Sequence, residues 1–385
     1  MKICFLIAST NVAGGANRSL LDLLLCLRED GHDCSVVMNA HGTMEQALDD
    51  LGVSHKVIPF VSEMKRRKLS TNLTKQAVNV YAEAKLMLYL KRGGFDLFHN
   101  NSLPVLAGMD AAAQIGLPYI CHIRENIWEG LGNEFSSPKK AKRLIEGAAR
   151  TIVISDYIRN TYEAFAPSAR YLRIYDGIQI REYYEEKEIF TGVQVTAAII
   201  GVINPHKNQK DAVKAVDILK KRGYGNVRLL VVGMIGKWHE SRRYGEVLQE
   251  QVMKRGLDEV SFIPPIEDTE ELRTLRRGCD INLICSKAEG MGRTTIESML
   301  SGSLTIAADA GATPELIRDG ETGLLYKCGD PRDLADKIEY AIKNTEQMRT
   351  IARAGQDYAR KSFDPGLYGR KIEELYTEVL GGRYI

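Results

Sequence analysis

A chain of 385 residues is too long for one ordinary hydrophobic core and suits two domains of about 150 to 200 residues each. Its 52 basic and 50 acidic residues leave a formal charge of +2, which removes any global field that would demand nucleic acid as a partner. With 44% hydrophobic and 26% charged residues and no low-complexity tract, long disorder is excluded as well.

Met1-Lys2 lead straight into Ile3-Cys4-Phe5-Leu6-Ile7-Ala8, a run too short for the apolar region of an export signal and suited to a buried first strand. No run approaches the roughly 20 apolar residues that cross a bilayer. The chain is therefore expected in the cytoplasm, with the inner face of the membrane as an alternative address. Short apolar runs then alternate with amphipathic stretches, the pattern of a parallel sheet covered on both faces. Strands are expected at 2–8, 33–38, 96–100, 119–123 and 151–155, with helices such as 18–30 and 104–115 between them and Gly31 as a helix stop. A polar, tyrosine-rich stretch at 181–190, between Gly177 and Gly192, interrupts the pattern and reads as a linker. The alternation restarts at 195–202 and continues with strands at 228–232, 260–263, 281–285 and 304–308. Pro365 breaks the chain before a terminal segment, 367–380, with apolar residues at helical spacing. The class is α/β: two Rossmann-like domains at 1–188 and 189–364, and a C-terminal helix at 365–385 crossing back to the first. The seven cysteines, without C-x-x-C spacing and mostly inside apolar runs, read as small core side chains in a reducing compartment.

Open parallel sheets bind ligands beyond the carboxyl ends of their strands, so two such domains facing each other make a cleft lined by strand-to-helix loops. The first such loop, 9–18, contains Gly14-Gly15. Paired glycines let backbone N–H groups approach an anion, and the helix N-terminus adds partial positive charge. It is not G-x-G-x-x-G with an acidic partner, which disfavours a dinucleotide-dependent dehydrogenase. The second-domain loop reads Ser286-Lys287-Ala288-Glu289-Gly290-Met291-Gly292-Arg293-Thr294, and the following helix carries Glu297. Gly290 and Gly292 free backbone donors for phosphate, while Glu289 at the mouth and Glu297 one turn into the helix frame the cradle. A carboxylate accepts bonds from vicinal hydroxyls, so the pair suits a sugar and a ribose.

Glu289 and Glu297 with seven residues between them, the Glu-Gly-Met-Gly start, and the continuation Glu315-Leu316-Ile317-Arg318-Asp319-Gly320-Glu321-Thr322-Gly323 resemble the retaining nucleotide-sugar glycosyltransferases of family four, within the group 1 glycosyltransferases. The Gly14-Gly15 turn and His122 at a strand end resemble that family's donor-side loop and active-site histidine. The resemblance implies the GT-B fold and transfer of a sugar, a UDP-sugar in preference to a GDP-sugar, to a glycan or lipid-linked saccharide in bacterial polysaccharide or glycoconjugate synthesis. It implies His122, Glu289 and Lys207 as catalytic residues. Donor binding then falls to Gly14, Gly15, Asn204, Pro265, Ile266, Gly290, Met291, Gly292, Arg293, Thr294 and Glu297, the Pro264-Pro265-Ile266 loop offering main-chain atoms to the nucleobase. No cofactor is implied, and with no D-x-D or E-x-x-H pattern no metal. The family usually places an Arg and a Lys on the loop after the second domain's first strand. Lys207 matches the Lys, whereas Val202 stands where the Arg is expected, so Arg293 is the candidate for the missing cation.

Arg124 and Glu125 share the loop of His122 and are candidates for contact with donor or acceptor. The turn 309–315 opens toward the same cleft, as a phosphate contact or a cap. Basic groups at Lys65-Arg66-Arg67-Lys68, Lys91-Arg92, Lys139-Lys140 and Lys142-Arg143 beside apolar residues suit an anionic membrane face. The competing function is a nucleotide-sugar epimerase of the same architecture, which would act without an acceptor.

Overall fold

A computed structural model describes residues 1–66, 73–129, 132–236 and 239–381. The chain divides into two compact units, Met1–Ile178 with the chain from Pro365 onward, and Gln179–Asp364.

In the first unit the order is β1 (Lys2–Leu6), α1 (Gly15–Glu29), β2 (Asp33–Met38), α2 (Met44–Asp50), β3 (Ser54–Val57), β4 (Met64–Arg66), α3 (Leu73–Gly93), β5 (Leu97–Asn100), α4 (Ala107–Gln114), β6 (Tyr119–Ile123), β7 (Asn133–Phe135), α5 (Pro138–Glu146), β8 (Arg150–Val153), α6 (Asp156–Glu163) and β9 (Tyr171–Arg173). Seven strands form a parallel sheet in the order β3-β2-β1-β5-β6-β8-β9. Strands covered on both faces bury nearly every side chain, and β5 and β6 are buried throughout. An antiparallel pair, β4 with β7, lies outside this sheet.

α1 buries Leu20, Leu23, Leu24 and Leu27 along one stripe and ends where Gly31 turns left-handed at φ 79°, its amide and that of His32 closing on Arg28 O and Leu27 O. The last helix of the chain closes this unit and covers the same stripe with Tyr368, Ile372, Leu375 and Tyr376. Gly369 permits the close approach, since a Cβ there would lie 2.7 Å from Cys26 Cβ.

The second unit runs α7 (Ile180–Tyr183), β10 (Val195–Ile200), α8 (Gln209–Lys221), β11 (Val227–Val232), α9 (His239–Lys254), β12 (Val260–Ile263), α10 (Thr269–Arg277), β13 (Ile281–Ile284), α11 (Arg293–Leu300), β14 (Leu304–Ala308), α12 (Thr313–Leu316), β15 (Leu324–Tyr326), α13 (Pro331–Lys343) and α14 (Thr345–Ser362); the closing helix of the first unit is α15 (Pro365–Val379). Its sheet is parallel, in the order β12-β11-β10-β13-β14-β15. Residues 179–188, assigned from sequence to the first domain, belong to this unit. The cause is polar anchoring: Glu185 pairs with Arg273 and Arg277, and the Lys187 ammonium donates to the Arg276 and Cys279 carbonyls and Ser303 Oγ.

None of the seven cysteines forms a disulfide, and five of them are buried. Among the described residues no helix is long and apolar enough to cross a membrane.

Candidate active site

The second sheet reverses its strand order between β10 and β13, the point where open parallel sheets hold ligands. Two loops leave the sheet there, and they are tied to each other. The Lys287 amide donates to His206 O at 2.9 Å, and Lys207 Nζ meets Glu289 Oε1 at 2.5 Å. A small pocket beside them is lined by Ile199, Ile200, Lys207, Ser286 and Thr294. Asn204 holds the turn that presents Lys207, its Oδ1 accepting from the Lys207 amide at 2.8 Å, and Asn208 follows in the left-handed region at φ 52°. Val202, in place of the expected arginine, is exposed.

Gly292 opens α11 with φ 94°, a conformation that costs any side chain with a Cβ, and no side chain caps the first turn. The first-turn amides of a helix carry the positive end of its dipole, and in α11 the Thr295 amide closes on Gly292 O at 2.9 Å. Thr294 lies half-buried in that turn, whereas Met291 is buried and packs as an anchor. Burial pushes the Glu289 carboxyl up, but the Lys207 charge and hydrogen bonds from Lys207 and Ser286 outweigh it and hold the group below the ordinary carboxylate value. Its backbone is clamped by the turn after β14. The Ala312 amide donates to Glu289 O at 3.0 Å, and a Cβ on Gly311, at φ 59°, would stand 2.6 Å from Glu289 N. That turn, read from sequence as a phosphate contact or a cap, leads into α12 through Ala312 and also supports the glycine loop.

Glu297 is only 8% exposed and is held from below by Arg276, whose Nη2 donates to Glu297 Oε2 at 2.9 Å. Arg293 Nε lies 3.9 Å from the other carboxylate oxygen, so the cation expected to serve a diphosphate sits beside Glu297. Arg276, 2% exposed and with its guanidinium over the Tyr183 ring, carries no local sequence signal. Pro265 is exposed and Ile266 half-buried on the loop after β12, at the same end of the sheet.

In the first unit the order reverses between β1 and β5. Gly14 caps α1 and Gly15 begins it, the second glycine exposed; neither adopts a left-handed conformation. Asn17 shapes the loop through Nδ2 bonds to Ser9 O and Asn11 O, both 2.8 Å. His122, at the end of β6, is fully buried, and its Nδ1 lies 3.1 Å from His99 Nε2. Burial, with the nearby Arg124 charge, holds both rings well below the ordinary histidine value. His122 Nε2 has no hydrogen-bond partner among the described residues, a position that costs about 1–3 kcal/mol if nothing meets it. Arg124, a candidate for ligand contact by sequence, is an internal brace. It grips Asp176 through Nη1 at 2.6 Å and 2.5 Å, and its other nitrogens donate to Asn101 and the Tyr368 hydroxyl. Glu125 accepts from Ser102 Oγ at 2.6 Å, and burial pushes its carboxyl up.

The basic groups fare differently. Arg67 and Lys68 lie outside the described residues. Lys140 is surrounded by Glu63, Glu83 and Asp110 at 3.1, 2.5 and 3.0 Å, and Arg143 pairs with Asp110, so that group is not a free positive patch. On α3, Val80, Tyr81 and Leu88 are exposed together with Lys85, Lys91 and Arg92.

Residues 181–358 match the sequence family Glycosyl transferases group 1, and residues 13–182 match Glycosyltransferase Family 4. The chain is similar to an uncharacterized glycosyltransferase, MJ1178, of Methanocaldococcus jannaschii, 24% identical over 308 residues that span 78% of this chain and 80% of that protein. It is similar also to the D-inositol 3-phosphate glycosyltransferase of Nocardia farcinica, 32% identical over 156 residues, 40% of this chain and 34% of that one. Among solved structures, Anabaena Alr3699/HepE in complex with UDP has the same fold, with a TM-score of 0.81 and 23% identity over 98% of this chain and 100% of that chain.

Proposed function

Since the chain belongs to the group 1 glycosyltransferases of the GT-B fold, we propose that it transfers a sugar from a nucleoside diphosphate donor with retention at the anomeric carbon and without a metal ion. The observation that carries this reading is the Lys207–Glu289 pair beside the uncapped N-terminus of α11, at the point where the second sheet reverses order. Departure of the leaving group builds negative charge on the diphosphate and positive charge on the anomeric carbon, and both must be stabilised. Lys207 and the amides of residues 290–294 face the first of these, with the dipole of α11 behind them. Glu289, kept ionised, accepts from sugar hydroxyls, and Glu297, oriented by Arg276, accepts from the ribose. Main-chain atoms around Pro265 and Ile266 receive the base. Attack from the face that the diphosphate leaves, with a phosphate oxygen taking the acceptor's proton, needs no protein nucleophile. UDP in preference to GDP rests on the UDP in the complexes of the Anabaena protein.

For the acceptor we infer a glycan or lipid-linked saccharide, met at an anionic membrane surface by α3. Val80, Tyr81 and Leu88 fall on one face at helical spacing, with Lys85, Lys91 and Arg92 beside them, and each cation near such a surface contributes about 1 kcal/mol.

A thermal-shift screen of UDP, GDP and their sugars tests the donor, because a ligand at 100 times its Kd adds about 2.7 kcal/mol to stability. A nucleoside diphosphate should raise the melting temperature of the wild type and less so that of Lys207→Ala. Arg293→Ala binding the same nucleotide as well as wild type would remove Arg293 as the substitute cation. Release of nucleoside diphosphate only with acceptor present supports transfer; conversion of the sugar nucleotide with no acceptor would favour an epimerase, and no stabilisation by any nucleotide would refute the reading.

A further inference from the structure

The hydrogen bonds around His122 have a fixed direction. A guanidinium can only donate, and Arg124 Nη2 stands 3.5 Å from His122 Nδ1, so that nitrogen is the acceptor. Arg124 is not free to turn away, being gripped by Asp176 and Asn101. His99 Nε2, 3.1 Å from the same His122 Nδ1, must then be the donor of their shared bond. That leaves His99 Nδ1 to accept, and its partner is the Tyr376 hydroxyl at 2.6 Å. The chain therefore runs from a hydroxyl on α15, through one imidazole, to a second imidazole whose only proton sits on Nε2. This is the buried atom without a partner among the described residues.

We propose that Arg124 on one side and the His99–Tyr376 pair on the other act together as positioning residues that lock His122 as the Nε2–H tautomer, making it a neutral hydrogen-bond donor to a carbohydrate oxygen. The proposal rests on the reading that His122 meets a sugar. It adds that the oxygen must be an acceptor in that bond, and that the C-terminal helix takes part in setting it. Burial of both rings beside the Arg124 charge favours their neutral forms, in agreement with this direction.

The test is nitrogen NMR of the full chain labelled at histidine, with His122 assigned by its loss in His122→Ala. Wild type is expected to show a protonated, pyrrole-type Nε2 and a pyridine-type Nδ1 at His122, and Tyr376→Phe should move both toward intermediate shifts. With UDP-glucose as the probe donor, UDP release by Tyr376→Phe should fall about tenfold in kcat with KM little changed, the size expected from one lost orienting hydrogen bond. His99→Gln can accept from Tyr376 and donate to His122 through its amide, and should retain the wild-type shifts. A proton on Nδ1 of His122 in the wild type overturns the proposal, as do unmoved shifts in Tyr376→Phe whether or not its melting temperature falls. UDP release unchanged in His122→Ala would instead overturn the sugar contact and leave the tautomer assignment standing.

Discussion

Replacing Gly311 by alanine would place a methyl group 2.6 Å from the Glu289 nitrogen and 2.7 Å from its carbonyl oxygen, on a residue held at φ 59°. Two costs add. The left-handed conformation costs a non-glycine residue about 1–2 kcal/mol. Restoring ordinary contact, at 3.4 Å, requires the two backbones to part by about 0.8 Å. Glu289 cannot follow that movement and keep its 2.5 Å contact with Lys207, so its carboxylate must turn or the pair must lengthen. Misplacing a reacting group by about 1 Å costs on the order of 100-fold in rate, so kcat should fall between about 10- and 100-fold. Nucleotide affinity should change little, because α11 and its amides stay where they are. The unit should also melt about 2–8 °C lower, from 1–2 kcal/mol in a domain of this size. The assay is steady-state kcat beside calorimetric binding of the nucleoside diphosphate and a thermal melt. Gly320→Ala supplies the control, since Gly320 has φ 75° but nothing within 4 Å of an added Cβ. It should lose only the roughly 1–2 kcal/mol of its left-handed backbone and keep its kcat. Full turnover in Gly311→Ala, or an equal loss in Gly320→Ala, would refute the claim that this turn sets the position of Glu289.

The two acidic residues of the glycine loop should separate in kinetics: Glu289→Gln is expected to lower turnover at least 100-fold with modest loss of nucleotide affinity, and Glu297→Gln to weaken nucleotide binding first, measured by initial rates and calorimetry. Arg276→Met removes one partner of a buried ion pair and should destabilise the chain by about 3–5 kcal/mol in urea unfolding, with Arg276→Met/Glu297→Gln recovering part of the loss. His99 and His122 have values depressed in the folded state, so their contribution is complete above about pH 6.5 and is lost as the pH falls below it, where the unfolded chain takes up protons first; the slope reaches up to about 1.4 kcal/mol per pH unit for each ring and should vanish in His99→Gln/His122→Gln. Charge reversal of Lys85, Lys91 and Arg92 should abolish sedimentation with vesicles rich in anionic lipid, while equal binding to neutral vesicles would refute the membrane assignment of α3.

The alternation of strands and helices was legible because strands buried on both faces are nearly continuous apolar runs, as at 195–200 and 281–284 with only Thr196 and Asn282 polar, and the helices between them show a one-sided stripe. Short strands at the margins of the first sheet escaped this reading. β3 and β9 carry exposed residues and so lack the signal, and the antiparallel pair of β4 and β7 joins segments about 70 residues apart. The glycine loop was legible for a local reason, since a helix opened at Gly292 needs a residue that tolerates φ 94°, and glycine marks the place in the sequence. What gives the loop its chemistry is not local. Glu289 stays ionised through Lys207, 82 residues away in the chain, and keeps its place through Gly311, which looks like any turn glycine.

Arg124 and Arg276 show the same limit from the other side. Arg124 reads in sequence as a candidate for contact with donor or acceptor and Arg276 carries no signal within the charged helix α10, yet both are buried and each holds one carboxylate, Asp176 and Glu297. A buried charge survives only where a partner offsets its desolvation, and the partner is chosen by topology and not by spacing. The same holds for His122, whose role as a donor depends on two hydroxyl-bearing side chains of α15, Tyr376 through His99 and Tyr368 through Arg124. Sequence spacing therefore locates the loops that meet a ligand, while the protonation states on which their chemistry depends are set largely by residues tens to hundreds of positions away that the fold brings behind them.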